Sequence, residues 1–316
     1  MNISNVCILG GTGFVGRAIA DRLSPLGMRV RVVTRSEPRG AALRVLPTAE
    51  IMVGDVHDPE TLAACFDNMD AVINLVGILH ERGGQTFQRC HVDLPRKVAE
   101  ACRRAGIGHL LHMSALGAAT DGPSDYQRSK AAGEAAVRES GAILPFTIFR
   151  PSVIFGEGDR FLNLFAGMVR WFPVIPLAGA RARFQPVWVE DVARAFAEAL
   201  GKTPHFGQTY ELCGPRAYTL EELVRHVAGM LGRNPRIVAL PDGMARLQAA
   251  VFERLPGKLI TRDNLRSMSV DNVCACPFPP ALGFQPEALE AVTAGYLAQP
   301  ASPRGRYSGY RHHAGR

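Results

Sequence analysis

Long apolar runs are missing from this sequence. Its 316 residues hold no stretch of about 18 or more uncharged apolar residues, so no membrane-spanning helix is expected. The opening residues, Met1-Asn2-Ile3-Ser4-Asn5, carry no basic stretch ahead of an apolar one, so no secretory signal is read and a cytoplasmic location is expected. Cysteine is sparse and odd in number: seven, at positions 7, 65, 90, 102, 213, 274 and 276. In a long chain without an export signal this argues against a disulfide framework, and the expectation is seven reduced packing thiols. Cys274-Ala275-Cys276 has no second Cys/His pair at zinc-site spacing, so no metal is expected.

Acidic residues are also scarce at one end. Residues 303–316 hold Arg304, Arg306, Arg311 and Arg316 and no acid, so four of the seven net positive charges sit in a terminal segment rich in Gly, Ser and Tyr. A basic tail on a nearly balanced body does not resemble a nucleic-acid-binding domain, and no nucleic acid partner is expected. The tail, 301–316, reads as disordered: a solvated terminus, or a weak attraction to an anionic membrane or acidic partner. The remaining composition, 47% apolar and 21% charged, is that of a globular protein.

The first 150 residues alternate short apolar runs (Val6–Leu9, Met28–Val33, Ile51–Val53, Ala71–Val76, His109–His112 and Phe146–Phe149) with helical patterns such as Phe14–Leu26, Pro59–Phe66, Pro95–Ala105 and Asp125–Glu139. Apolar strands separated by helices predict an α/β fold with a doubly wound parallel sheet, the Rossmann arrangement, over 1–150. Beyond it prolines become frequent. Helices are expected at Glu190–Leu200, Leu220–Leu231 and Asp242–Leu255, and strands at Phe206–Cys213 and Arg236–Leu240. This reads as a smaller C-terminal substrate lobe over 151–300, with segments returning to the sheet.

Val6-Cys7-Ile8-Leu9 runs into Gly10-Gly11-Thr12-Gly13-Phe14-Val15-Gly16. Glycines at 10, 13 and 16 between a strand and a helix suit a pyrophosphate: a tight turn, a close backbone approach, and close packing of helix on strand. At the end of the next strand no carboxylate awaits a ribose 2′-hydroxyl. Arg35 and Arg39 stand there instead, with Glu37 beyond Arg35, so NADP(H) is expected over NAD(H). Asp55, after Gly54, suits the adenine amino group or the cap of a turn. Asn74-Leu75-Val76-Gly77 would pass the cofactor, with Asn74 also readable as a turn-former.

Tyr126 and Lys130 share one helical face, and Ser124 with Gln127 fits a capping box that starts this helix. An ammonium nearby lowers a phenol's pKa, so Tyr126 is expected to exchange a proton with a substrate oxygen that Ser114 also holds. The stretch Phe161–Ala180 carries Arg170 as its only charge. It reads as the wall of the second lobe, or as an apolar substrate slot or a surface that dips into a bilayer interface.

These pieces, with Arg150-Pro151-Ser152-Val153-Ile154-Phe155-Gly156, Gly158–Asn163, Phe184–Ala193, Leu259–Asn264 and Leu282-Gly283-Phe284, resemble the extended short-chain dehydrogenase/reductases, an NAD-dependent epimerase/dehydratase-like group. Within it they look like the atypical subgroup that includes the NADPH-holding accessory subunit of respiratory complex I and its bacterial relatives. The resemblance spans about residues 5–298. It implies catalytic roles for Tyr126, Lys130 and Ser114, and cofactor contacts at Gly10, Thr12, Gly13, Phe14, Val15, Gly16, Arg35, Arg39, Asp55, Val56, Asn74, Val76, Gly77, Lys130 and Pro151. Two positions depart from the extended enzymes: Ala115 follows Ser114 where many carry further serines, and His91 stands where many carry Asn.

Two functions follow as expectations. One is an NADP(H)-dependent oxidoreductase or isomerase acting on an apolar, quinone-related carbonyl or alcohol. The other is a non-catalytic NADPH-binding module that supports a membrane-associated respiratory or quinone-handling complex, peripheral to the cytoplasmic face of the inner membrane. No oligomeric state is read from the sequence.

Overall fold

The computed structural model describes residues 2–254 and 260–297. The basic tail expected over 301–316 lies outside the described residues.

Seven parallel strands form the central sheet. In chain order the first half runs β1 (Asn5–Leu9), α1 (Phe14–Leu23), β2 (Arg29–Thr34), α2 (Glu37–Gly40), β3 (Ala49–Val53), α3 (Pro59–Phe66), β4 (Ala71–Asn74), α4 (Leu94–Ala105), β5 (His109–Met113), α5 (Asp125–Glu139) and β6 (Phe146–Pro151). The second half runs β7 (Ile154–Phe155), α6 (Phe161–Trp171), β8 (Val174–Leu177), β9 (Arg183–Phe184), β10 (Val187–Trp188), α7 (Val189–Ala199), β11 (Gln208–Leu212), β12 (Tyr218–Thr219), α8 (Leu220–Met230), β13 (Arg236–Ala239), α9 (Asp242–Phe252), α10 (Arg262–Ser267) and α11 (Leu289–Thr293). The sheet order is β11-β6-β5-β4-β1-β2-β3, the doubly wound Rossmann arrangement read from the sequence. β11, from the second half of the chain, forms the sheet edge beside β6, paired from Gln208↔Thr147 to Leu212↔Pro151.

Alternation along the strands divides the core. On β1, Val6 and Ile8 pack into one cluster with Ile19, Leu23 and Phe196, while Cys7 and Leu9 pack into another with Leu62, Leu94 and Val98. Both faces are covered, which is why the strands are apolar at nearly every position. A third cluster, from Phe155 to Leu297, joins α6 and α8 through Phe165, Val169, Leu223 and Val227.

Several boundaries shift for local reasons. β4 ends at Asn74 rather than Val76, because the Asn74 Oδ1 takes the Val76 N–H at 3.2 Å and turns the chain out of the ladder. α1 ends at Leu23 and Ser24–Leu26 tighten into a 3-10 turn around Pro25. A π-helical turn over Gln88–Asp93 precedes α4 and was not anticipated.

The expectation of seven free thiols is wrong for two of them. Cys213, just after β11, is disulfide-bonded to Cys274 across 61 residues of sequence. Chain folding brings their Cα atoms to 6.1 Å, within bridging range, a closeness that cysteine count and spacing do not encode.

The position of α5 is set by two buried contacts. Gly133 lies so close to the π-helical turn that a Cβ there would sit 2.0 Å from the His91 carbonyl oxygen. One residue on, Glu134 is fully buried and receives both Nε and Nη2 of Arg150 on β6, each at 2.7 Å, and Nη1 of Arg138 at 2.9 Å. Burial alone would raise the Glu134 pKa, but these hydrogen bonds, Arg150's first, hold it below the usual carboxylate range.

Gly133→Ala is expected to destabilise the chain by about 2–3 kcal/mol, since backbone oxygen cannot yield as a side chain does. Arg150→Met is expected to cost about 3 kcal/mol near neutral pH by stripping a buried carboxylate of its main partner. Because the folded-state pKa of Glu134 is depressed, this contribution is present above about pH 4.3 and fades as pH falls through the lower folded value. Urea unfolding at several pH values checks both, and a pH-independent deficit for Arg150→Met would contradict the account.

Candidate active site

The cleft opens at the C-terminal ends of β1 and β4, where the strand order reverses. Gly10 follows β1 with φ +80°, a conformation few side chains tolerate, and its carbonyl accepts the Gly13 N–H at 3.0 Å. Gly16 allows the turn and helix to touch, since a Cβ there would lie 2.4 Å from the Gly11 Cα. Arg17 Nε donates to the Thr12 carbonyl at 3.0 Å and steadies the turn. α1 has no side-chain cap and no acid in its first turn, and its first backbone bond is Arg17 N–H to Gly13 C=O. The amides of Phe14, Val15 and Gly16 therefore face the cleft without an intrahelical acceptor, at the positive end of the helix dipole. These features fit a diphosphate.

α5 supplies the second half of the site. The Ser124/Gln127 capping box is present as read from sequence. Asp263 of α10 completes the cap by accepting the Asp125 and Tyr126 N–H groups at 2.8 and 3.1 Å and so helps to hold this helix; Leu259 of the same motif lies outside the described residues. Lys130, buried, donates to the Met113 carbonyl at 3.2 Å and approaches the Gly77 backbone, where an added Cβ would meet its Nζ at 3.1 Å. Burial lowers the Lys130 pKa to about 8, with Glu134 opposing the shift, so it remains largely an ammonium at neutral pH.

The Tyr126 phenol differs from expectation. It is not lowered: burial pushes it up to about 12. Its ring lies edge-on to Phe87 and His91, at centroid distances of 6.0 and 5.5 Å, and burial in that aromatic pocket disfavours the charged phenolate. Burial therefore disfavours the Tyr126 phenolate, and the phenol keeps its proton at neutral pH. Ser114 follows β5, is buried, and leans toward Glu134, which it helps to hold low, without a hydrogen bond of ordinary geometry. A buried hydroxyl left over in this way can serve a ligand oxygen.

His91, at a position where many extended enzymes carry Asn, organises this corner. Its Nε2 accepts the Ile78 N–H at 3.0 Å, which places the ring proton on Nδ1, 2.9 Å from Ser129 Oγ. Ser129 in turn donates to the Tyr126 carbonyl at 2.8 Å. Burial and the Lys130 ammonium drive the imidazole down to about 2, so it is neutral. No sequence signal distinguished this role from that of a buried core histidine.

Of the residues expected at the site, Gly10, Thr12, Gly13, Phe14, Val15, Gly16, Gly77, Ser114, Tyr126, Lys130 and Pro151 line one cleft of about 3440 Å³. Arg35, Arg39, Asp55, Val56, Asn74 and Val76 lie outside its lining. Arg35 is exposed just beyond β2 and, among the described residues, makes no ion pair; Arg39 is exposed on α2. Glu37 is engaged by Arg44. Asp55 accepts the His57 N–H at 3.0 Å and meets Arg89 at 3.4 Å, so it both caps a turn and holds a second guanidinium beside this corner. The Asn74 carboxamide is spent inside the sheet, on Val76 N–H and, at 3.3 Å, His112 Nδ1.

Known proteins resemble this chain in sequence and in fold. The model of the NAD dependent epimerase/dehydratase family matches residues 6–213. The chain is 32% identical over 293 residues to the rat (Rattus norvegicus) mitochondrial NADH dehydrogenase [ubiquinone] 1 alpha subcomplex subunit 9, covering 90% of this chain and 77% of that one. It is 36% identical over 240 residues to the ceramide reductase of Caulobacter vibrioides, covering 75% of this chain and 74% of the other. In fold it is similar to a double mutant of the dTDP-glucose 4,6-dehydratase DesIV of Streptomyces venezuelae, with a TM-score of 0.74 at 20% identity, over 95% of this chain and 98% of that one.

If burial sets the charge of Lys130, one lysine ε-carbon NMR signal titrates near pH 8 and disappears in Lys130→Met. Lysines that all titrate near the ordinary value of about 10.4 would contradict this environment.

Proposed function

The chain belongs to the NAD dependent epimerase/dehydratase family, and from that premise we propose that it is an NADP(H)-dependent oxidoreductase that reduces an apolar carbonyl. One observation carries the reading: the free amides of the Gly10–Gly16 turn and the Ser114/Tyr126/Lys130 group line the same cleft. Bound there, the nicotinamide supplies the hydride. The first-turn amides of α1 hold the diphosphate, and Lys130 holds the nicotinamide ribose. Tyr126, protonated through neutral pH, gives its proton to the carbonyl oxygen, and Ser114 donates to the same oxygen.

Arg35 supports NADP(H) over NAD(H). It stands at the end of β2 free of ion pairs among the described residues, and Glu37, the nearest acid in sequence, is occupied by Arg44. A guanidinium matches a phosphate with two parallel donors, where a carboxylate would repel it. An apolar substrate is supported by Phe161, Phe165, Met168, Phe172 and Trp188 in the wall of the cleft, and the similarity to a ceramide reductase points the same way.

A second reading is a non-catalytic NADPH-binding module of a membrane-associated complex, favoured by the 32% identity to a subunit of mitochondrial NADH dehydrogenase. Two variants separate the readings. Arg35→Ala is expected to weaken NADPH binding about ten-fold and to leave NADH binding unchanged by calorimetry. Tyr126→Phe is expected to keep NADPH affinity while lowering turnover across a panel of quinones and long-chain ketones by about 100-fold or more. Tight NADPH binding with no turnover by the parent chain selects the module, and equal binding of NADH and NADPH removes the role given to Arg35.

A further inference from the structure

An apolar surface surrounds the mouth of the cleft; apart from Phe172, which also stands in the cleft wall, it is not used by the chemistry proposed above. α6 ends in Trp171, 81% exposed, followed by Phe172 at 58% and by exposed Val174. β13 runs beside β8, pairing Arg236 with Val174 and Val238 with Pro176, and Arg236 N–H bonds the Pro173 carbonyl at 2.8 Å. α9 joins the same surface: Gln248 Nε2 reaches the Pro176 carbonyl at 3.3 Å. Met244, Leu247 and Val251, spaced three and four apart along α9, are exposed together, Leu247 at 67%. Phe172, Val174 and Pro176 on one side, and Gln248 and Phe252 on the other, also line the cleft. The patch and the opening are therefore continuous.

The charge around this patch is mainly positive. From Arg160 to Arg183 the sequence has four arginines and no acid, and between Arg233 and Phe252 Asp242 stands against Arg233, Arg236 and Arg246. Among the described residues Arg170, Arg233, Arg236 and Arg246 are exposed and make no ion pair. A patch of Trp, Phe and Leu rimmed by unpaired guanidinium groups complements a surface with an apolar interior and anionic headgroups. It does not complement itself, because a two-fold contact would set these arginines against their own copies.

We propose that this rim (Trp171 to Val174, the exposed strip of α9, and Arg170, Arg233, Arg236 and Arg246) docks the protein on an anionic lipid bilayer, with the cleft open toward the membrane. The docking is read from the surface itself. Only its consequence, that an apolar substrate enters from the lipid side, rests on the proposed function.

The test uses the full chain and vesicles of equal parts phosphatidylglycerol and phosphatidylcholine, against vesicles of phosphatidylcholine alone. The chain has two tryptophans, so Trp188→Phe leaves Trp171 as the reporter. Expected are co-sedimentation with the anionic vesicles, a blue shift of Trp171 emission, and its quenching by brominated lipid. In the parent chain, Leu247→Ser is expected to weaken partitioning about ten-fold, and Arg170→Gln and Arg236→Gln about five-fold each. The proposal is overturned by absence of vesicle binding, by binding that leaves Trp171 emission unmoved, or by variants that partition like the parent. It is also overturned if the lipid-free chain is a dimer that Leu247→Ser dissociates, which would assign the patch to a second copy. NADPH titration of the same samples keeps the two proposals apart: docking without nucleotide binding removes the proposed function alone, and the converse removes docking alone.

Discussion

A carboxylate without access to water fixes the geometry of this protein's site. Glu134 is tolerable in the interior only because Arg150 and Arg138 meet both its oxygens, and Arg150 belongs to β6 of the central sheet. The pair therefore ties α5 to the sheet at one height and one rotation. Gly133 removes the side chain that would otherwise hold α5 away from the His91 carbonyl. Tyr126 and Lys130 ride on the same helix, two and one turns earlier, so their depth in the cleft follows from contacts that neither of them makes.

That depth sets their chemistry. The closeness of α5 to the π-helical turn that carries His91 desolvates the phenol, the ammonium and the imidazole together, and each responds in the direction that disfavours its charged form. The result is a protonated phenol beside a weakened ammonium and a neutral histidine whose tautomer is fixed by Ile78. Spacing along a helix would place a charged lysine next to an activated phenolate. Packing reverses the second half of that statement.

Much of the fold was legible because its signals are local. The strand β1, the Gly10–Gly16 turn and α1 follow from apolar alternation and glycine spacing, and the start of α5 follows from Ser124 and Gln127, which bond within one turn. The remaining features depend on residues far apart in sequence. Asp263 caps α5 from 137 residues away, Cys213 and Cys274 meet across 61, and Arg150 answers Glu134 from the neighbouring strand. Each of these residues, read alone, looks like an ordinary surface acid, a packing thiol or a surface base.

The sequence by itself determined the parallel sheet, the place of the glycine-rich turn and the pairing of Tyr126 with Lys130 on one helical face, because backbone geometry repeats every two or 3.6 residues and side-chain patterns must follow it. Only the tertiary structure decided that burial disfavours the Tyr126 phenolate, that His91 is neutral, and that the apolar run from Phe161 divides into a buried wall and an exposed rim around Trp171. The physical reason is desolvation: whether a side chain faces water depends on what the rest of the chain packs against it.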